Sequence, residues 1–115
     1  MGLTMKAISF RGDSLNDLKS FNDDVKQQIG YNLHRIQIGK KPLNYKLMKT
    51  VGIGVREIRV KDKDGIYRAI YVASFKEAIY VLHCFQKKEQ KTRKKDIDLA
   101  RARLNELILE RKNVK

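Results

Sequence analysis

The residues best suited to chemistry in this chain are cations at and beyond the ends of strand-like runs. The segment 86–95 reads QKKEQKTRKK, with six basic residues and one acid, and the runs before it carry Arg56, Arg59 and Arg68. An arginine presents a planar fork that matches two phosphate oxygens. A lysine crowded by other cations gives up its proton more easily and can serve in proton transfer. Phosphate is the group that such a set addresses.

The totals point the same way. Across 115 residues, 26 Lys and Arg stand against 13 Asp and Glu, a net charge of +13 that draws polyanions by counterion release and steering. Nucleic acid is therefore the first partner class, with an evenly solvated basic surface as the bland alternative. The single cysteine, Cys84, has neither a disulfide partner nor companion metal ligands, so it reads as a small buried side chain in a reducing compartment. No run approaches the roughly 18 apolar residues of a membrane span, and the first residues lack the apolar core of a secretion signal. A cytoplasmic protein with no membrane partner, no cofactor and no metal is expected.

Stepping along the chain gives the elements that must hold these cations. Residues 6–10 alternate as a short strand closed by Arg11-Gly12-Asp13. Asp13 or Ser14 can cap a first short helix through Leu15, Leu18 and Phe21, and Asn22 can cap a second helix that opens with Asp23 and Asp24. In that helix Val25, Ile29, Leu33 and Ile36 line one face, Asn32 and His34 lie off it, and Gly39 ends it. The two helices read as an antiparallel hairpin on a sheet. Residues 40–54 read as a basic connecting loop; its Gly52-x-Gly54 lacks the third glycine and the following helix of a dinucleotide fingerprint.

Residues 55–61 alternate, with Arg56, Ile58 and Val60 on one face and Val55, Glu57, Arg59 and Lys61 on the other. Asp62-Lys63-Asp64-Gly65 is a hairpin signal; the run has no acid at position 60 and no distant glutamate in register for a calcium loop. Arg68, Ile70 and Val72 share a face of the next strand. Residues 78–85 are apolar on both faces except for His83, as in a strand covered on both sides. His83 alternates with Phe85, Val81 and Ile79, which makes it a buried histidine before it is a general base. Thr92 can cap a last helix over 96–112, where Ile97, Ala100, Leu104, Leu107 and Ile108 line one face and Asp96 suits capping. The expected fold is a single α+β domain, core about 6–111, with a small antiparallel sheet packed by an N-terminal helical hairpin and a C-terminal helix.

With that order in place, a resemblance emerges. Tyr31-Asn32-Leu33 to Gln37-Ile38-Gly39, Val55-Arg56-Glu57-Ile58-Arg59, Tyr67-Arg68-Ala69-Ile70-Tyr71, Leu82-His83-Cys84-Phe85-Gln86-Lys87-Lys88 and the late Ala100-Arg101-Ala102-Arg103 together resemble the HigB-like, phage-related branch of the RelE/ParE toxin superfamily. The likeness runs from about residue 8 to residue 107. It implies the toxin of a type II toxin–antitoxin pair, a ribosome-dependent endoribonuclease that cuts translated mRNA and is held inactive by a cognate antitoxin, a helix-turn-helix protein. By position it implies Arg68, Lys87 and Lys88 as catalytic residues. Arg56, Arg59, Phe85, Lys91, Arg93, Lys94 and Lys95 would bind RNA or the ribosome.

The chemistry that the resemblance implies is metal-independent. The 2′-hydroxyl attacks the neighbouring phosphorus, one proton is removed, another is given to the 5′ oxygen, and cations neutralise the added phosphate charge. Strand alternation places Arg56 and Arg59 on opposite faces, so one site does not readily use both. The chain also departs from nucleolytic relatives that carry a late Tyr or His, because its last tyrosine is Tyr80 and its last histidine His83. Two further readings follow: a gyrase inhibitor of the ParE type, and a non-toxic basic nucleic-acid-binding module. The bland reading of Arg56 and Arg59 is surface pairing with Glu57, and that of Arg68 a contact with an acid such as Glu77.

Overall fold

The turn at 62–65 sets the register of the sheet. In a computed structural model, which describes residues 5–87 and 92–113, β3 (Val55–Asp62) and β4 (Gly65–Val72) are joined by a two-residue loop. Arg59 then stands opposite Arg68 and Glu57 opposite Ile70. Strand β5 (Ala78–Lys87) lies on the other side of β4, and β1 (Ala7–Phe10) completes that edge. A three-residue strand, β2 (Tyr45–Leu47), flanks β3. The five-stranded order is β1-β5-β4-β3-β2.

The sheet is mixed, which corrects the expected antiparallel one: β1 runs parallel to β5. A parallel neighbour needs a long connection, and both N-terminal helices lie between these two strands in the chain. β2 replaces part of the expected loop. Its three residues give too little alternation to stand out, and it forms because Tyr45 and Leu47 pair with Ile58 and Arg56.

Each face of the sheet has its own core. On one side lie α1 (Ser14–Lys19) against β5 and α2 (Asp23–Gln37) against β3, so each helix of the expected hairpin is anchored to the sheet. Leu18, Val25, Ile29, Leu33 and Ile36 meet Ile58, Val60, Ala69, Tyr71 and Val81 there. On the other side α3 (Lys94–Asn113) lays Ala100, Leu104 and Leu107 over Val55, Ile70, Val72 and Leu82. Gly52 lets α3 come close, since a Cβ there would lie 2.5 Å from Leu104 Cδ2; Gly54, at φ +78, turns the chain into β3.

Capping follows the sequence in one place and not in others. Asn22 Oδ1 accepts from the Val25 amide at 2.9 Å. Asp13 makes no side-chain cap bond, and Ser14 turns inward to donate to the Val81 carbonyl. Asn32, expected off the apolar stripe, is buried as a clamp: its amide donates to the Gln28 carbonyl, and its carbonyl oxygen holds the Leu43 amide at 2.7 Å.

Cys84 lies in the core on the α1/α2 side, where burial pushes its thiol up to about 12. The thiolate is the reactive form. The folded protein is therefore expected to resist an aromatic disulfide reagent at pH 8 and to react at once in urea. Fast labelling of the native protein would contradict this placement. Among the described residues no helix is long and apolar enough to cross a membrane.

Candidate functional site

Three of the cations that the sequence singled out, Arg59, Arg68 and Lys87, lie on the α3 side of the sheet, near a buried carboxylate. Glu57 on β3 has no exposed surface, and neither has Arg68 on β4. Arg68 Nη1 donates to Glu57 Oε1. The second carboxylate oxygen accepts from the Thr92 hydroxyl at 3.0 Å, and that hydroxyl accepts from Lys87 Nζ at 3.3 Å. One carboxylate thus ties β3, β4, the end of β5 and the approach to α3 together. Thr92, expected as a helix cap, bonds this cluster instead; the first turn of α3 closes on the Arg93 carbonyl.

Electrostatics here are dominated by crowding of like charge. Arg59 and Arg68 stand directly across from each other, and the next cross-strand row places Lys61 and Lys87 on the same face. Like charges opposite one another repel, and Glu57, in the neighbouring row of the same face, offsets this through its bond with Arg68. Lys87 is almost wholly buried, and its ammonium is held below the ordinary lysine pKa. Burial is the main cause, Arg68 the next, and Arg59 and Lys46 add to it, while Glu57 acts the other way. A lysine of this kind carries a neutral amine closer to neutral pH than a solvated one.

A bulge in β5 decides which side chains join this cluster. Ile70 pairs with His83 but Tyr71 with Val81, so Leu82 is the extra residue. The alternation therefore breaks. Val81 and Ile79 face α1 and α2, whereas His83 and Phe85 face α3, which corrects the expectation that all four share a side. Arg103 Nη1 meets the Leu82 carbonyl at 2.9 Å, and the Arg11 amide and Ser14 hydroxyl meet that of Val81. His83 Nε2 lies 2.8 Å from Asp96 Oδ1, and its ring stacks on Phe85 with centroids 4.7 Å apart. Asp96, expected as a capping acid, is the buried partner of that histidine.

The predicted site residues divide accordingly. Arg59, Arg68, Lys87 and Phe85 share one face. Phe85 is packed in the α3-side core beside His83. Arg93, Lys94 and Lys95 are exposed around the start of α3, where the helix dipole adds positive potential. Arg56 points to the other face and sits over the Tyr45 ring, 5.2 Å from its centroid, so it belongs to no site with Arg59. Lys88 and Lys91 lie outside the described residues. Arg68 does contact an acid, but it is Glu57, not Glu77; Glu77 is bound by Arg111 and Tyr80.

Glu57, Thr92 and Asp96 are the polar residues that sequence reasoning placed in lesser roles. For Glu57 a signal existed. The two-residue turn puts Glu57 diagonal to Arg68 on one face, within reach of long side chains. Nothing in the sequence joins Thr92 or Asp96 to the strands, because those contacts depend on where α3 lands.

The family described as phage derived protein Gp49-like (DUF891) matches residues 16–105, most of the chain. The chain belongs to this family. It is a toxin-like family, associated with toxin–antitoxin toxins and related to those of the RelE/ParE type. A search of curated proteins found no match. In this Gp49-like chain the matched span includes Glu57, Arg59, Arg68, Lys87 and Thr92, the polar cluster and the strands that build it.

Proposed function

We propose that this Gp49-like chain acts, as one domain, as the toxin of a type II toxin–antitoxin pair on the HigB-like branch, and that it cleaves mRNA on the ribosome without metal. The observation that carries the reading is the gathering of Arg59, Arg68 and Lys87 on one face beside a cationic helix start. Arg59, Arg93, Lys94 and Lys95 hold the RNA backbone there. Arg68, fixed by Glu57, supplies preorganised positive charge behind the scissile phosphate. Lys87, held below its ordinary pKa, exchanges a proton with the 2′-hydroxyl or the leaving oxygen, and Lys88 assists as the next cation. A helix-turn-helix antitoxin silences the toxin by covering this face with acidic and apolar residues.

The deciding experiment is 5′-end mapping of cellular RNA minutes after induction, beside the double variant Lys87→Ala/Lys88→Ala checked for folding. Cuts within translated frames that disappear in the variant are expected. Growth arrest with intact mRNA would instead favour the second reading, inhibition of gyrase by binding alone. The burial of Arg68 and Lys87 is the feature that favours this alternative.

A further inference from the structure

Thr92 and Asp96 stand one helical turn apart at the start of α3, and both reach the same row of the sheet. In that row Glu57 on β3 and His83 on β5 flank Ile70 on β4. The Thr92 hydroxyl donates to Glu57 Oε2 at 3.0 Å, and Asp96 Oδ1 lies 2.8 Å from His83 Nε2. The helix start is thus fastened at two points. Thr92 does one thing more: its oxygen accepts from Lys87 Nζ at 3.3 Å.

The chemistry of a hydroxyl makes this contact directional. Thr92 has one proton to give and gives it to Glu57, so only lone pairs face Lys87. Such an acceptor binds an ammonium more strongly than a neutral amine. It holds one N–H of Lys87 in a fixed direction and makes the ammonium harder to deprotonate than burial alone would. The charged groups about Lys87 are Glu57, Arg59 and the exposed Lys61 on β3, Arg68 on β4 and Lys46 on β2. Arg93 and Lys94 stand exposed at the start of α3, and His83 is taken up by Asp96. Thr92 is uncharged, so replacing it alters a hydrogen bond and leaves these charges in place. With Arg93 and Lys94 it also borders an open depression of about 490 Å³. The side chain that holds the buried lysine is therefore at the edge of the surface that an RNA strand would reach.

We infer that Thr92 is a positioning residue for Lys87: its hydroxyl, oriented by Glu57, holds the amine in the direction and protonation state that RNA cleavage uses. The role rests on the nuclease reading of the site. It makes a chain in which a carboxylate orients a hydroxyl and the hydroxyl orients an amine.

The test compares Thr92→Val, which keeps the shape and loses the hydroxyl, with Thr92→Ser, which keeps the hydroxyl. Asp96→Asn, which disturbs the neighbouring clasp, is the control. Two readouts are taken on the intact protein: single-turnover cleavage of mRNA on programmed ribosomes against pH, and titration of the Lys87 side chain by 13C NMR, assigned by its absence from Lys87→Met. Thr92→Val is expected to lower the maximal rate about ten-fold and to leave the half-saturating concentration within about three-fold. The limb of the pH–rate profile due to Lys87 and the NMR midpoint should both move about one unit to lower pH, because the ammonium has lost an acceptor. Thr92→Ser should keep the rate within about three-fold of the wild type, with the midpoint in place. Asp96→Asn should leave midpoint and limb in place, whatever it does to stability. An unmoved midpoint in Thr92→Val, an equal displacement in Asp96→Asn, or a Thr92→Ser protein as slow as Thr92→Val would overturn the inference. If the wild type cuts RNA and Thr92→Val cuts it equally fast, the positioning role alone fails. If the wild type cuts no RNA, the nuclease reading fails and takes the role with it.

Discussion

Replacing Glu57 with alanine is expected to destabilise the protein by about 3–5 kcal/mol, the cost found when one member of a buried ion pair is removed. Glu57 and Arg68 are both fully buried, and the lost carboxylate also accepts the Thr92 hydroxyl that Lys87 contacts. Urea denaturation measures the effect directly. The double variant Glu57→Leu/Arg68→Met should recover part of the loss, because the arginine is no longer left without its carboxylate, while the loss of Glu57 still weighs on the buried Lys87. If Glu57→Ala costs less than about 1 kcal/mol, the pair behaves as a solvated surface contact and the described burial is wrong.

The second large effect concerns Lys87. If it moves a proton in RNA cleavage, Lys87→Ala should lower the rate about 10²–10⁴-fold. Lys87→Arg should not restore it, because arginine keeps its proton at any working pH. A structural readout runs beside this one. The native lysine binds its proton less readily than the unfolded chain does, so stability rises as pH climbs from the native pKa of Lys87 toward the ordinary 10.5, and the increment is lost as pH falls through that native value. From about pH 9 upward the raised thiol of Cys84 and the raised tyrosines act in the opposite sense. The comparison therefore follows stability as pH rises toward 10.5 in the wild type and in Lys87→Met; the variant lacks the Lys87 contribution, so its slope should be less positive. An unchanged slope would place the ammonium in solvent and remove the basis for its proposed role.

These two outcomes can separate the functional readings. Loss of cleavage in a folded Lys87→Ala protein supports the nuclease. Unaltered toxicity in that protein, with mRNA intact, supports inhibition by binding. The stability of Glu57→Ala bears on neither, since it reports only how the cluster is built.

Local pattern was enough to reveal most of the elements and the cationic character. Alternation located β3, β4 and β5 because a strand buried on one face or both must repeat at period two, and the period near 3.6 in α2 and α3 named the side chains that now form their cores. Asn22 capped its helix as its side-chain chemistry required. The hairpin turn even carried the information that Glu57 lies diagonal to Arg68.

Tertiary structure decided the rest. The three residues of β2 have no pattern of their own and become a strand only by pairing with β3. The parallel placement of β1 depends on contacts far apart in the chain. The bulge at Leu82 adds one residue to β5 and so reverses the facing of His83 and Phe85, a change invisible to alternation because it arises in the pairing with β4. Thr92 and Asp96 look like helix-start residues in the sequence. They become the partners of Glu57 and His83 only because α3 packs across the sheet and brings its first turn over the ends of the strands.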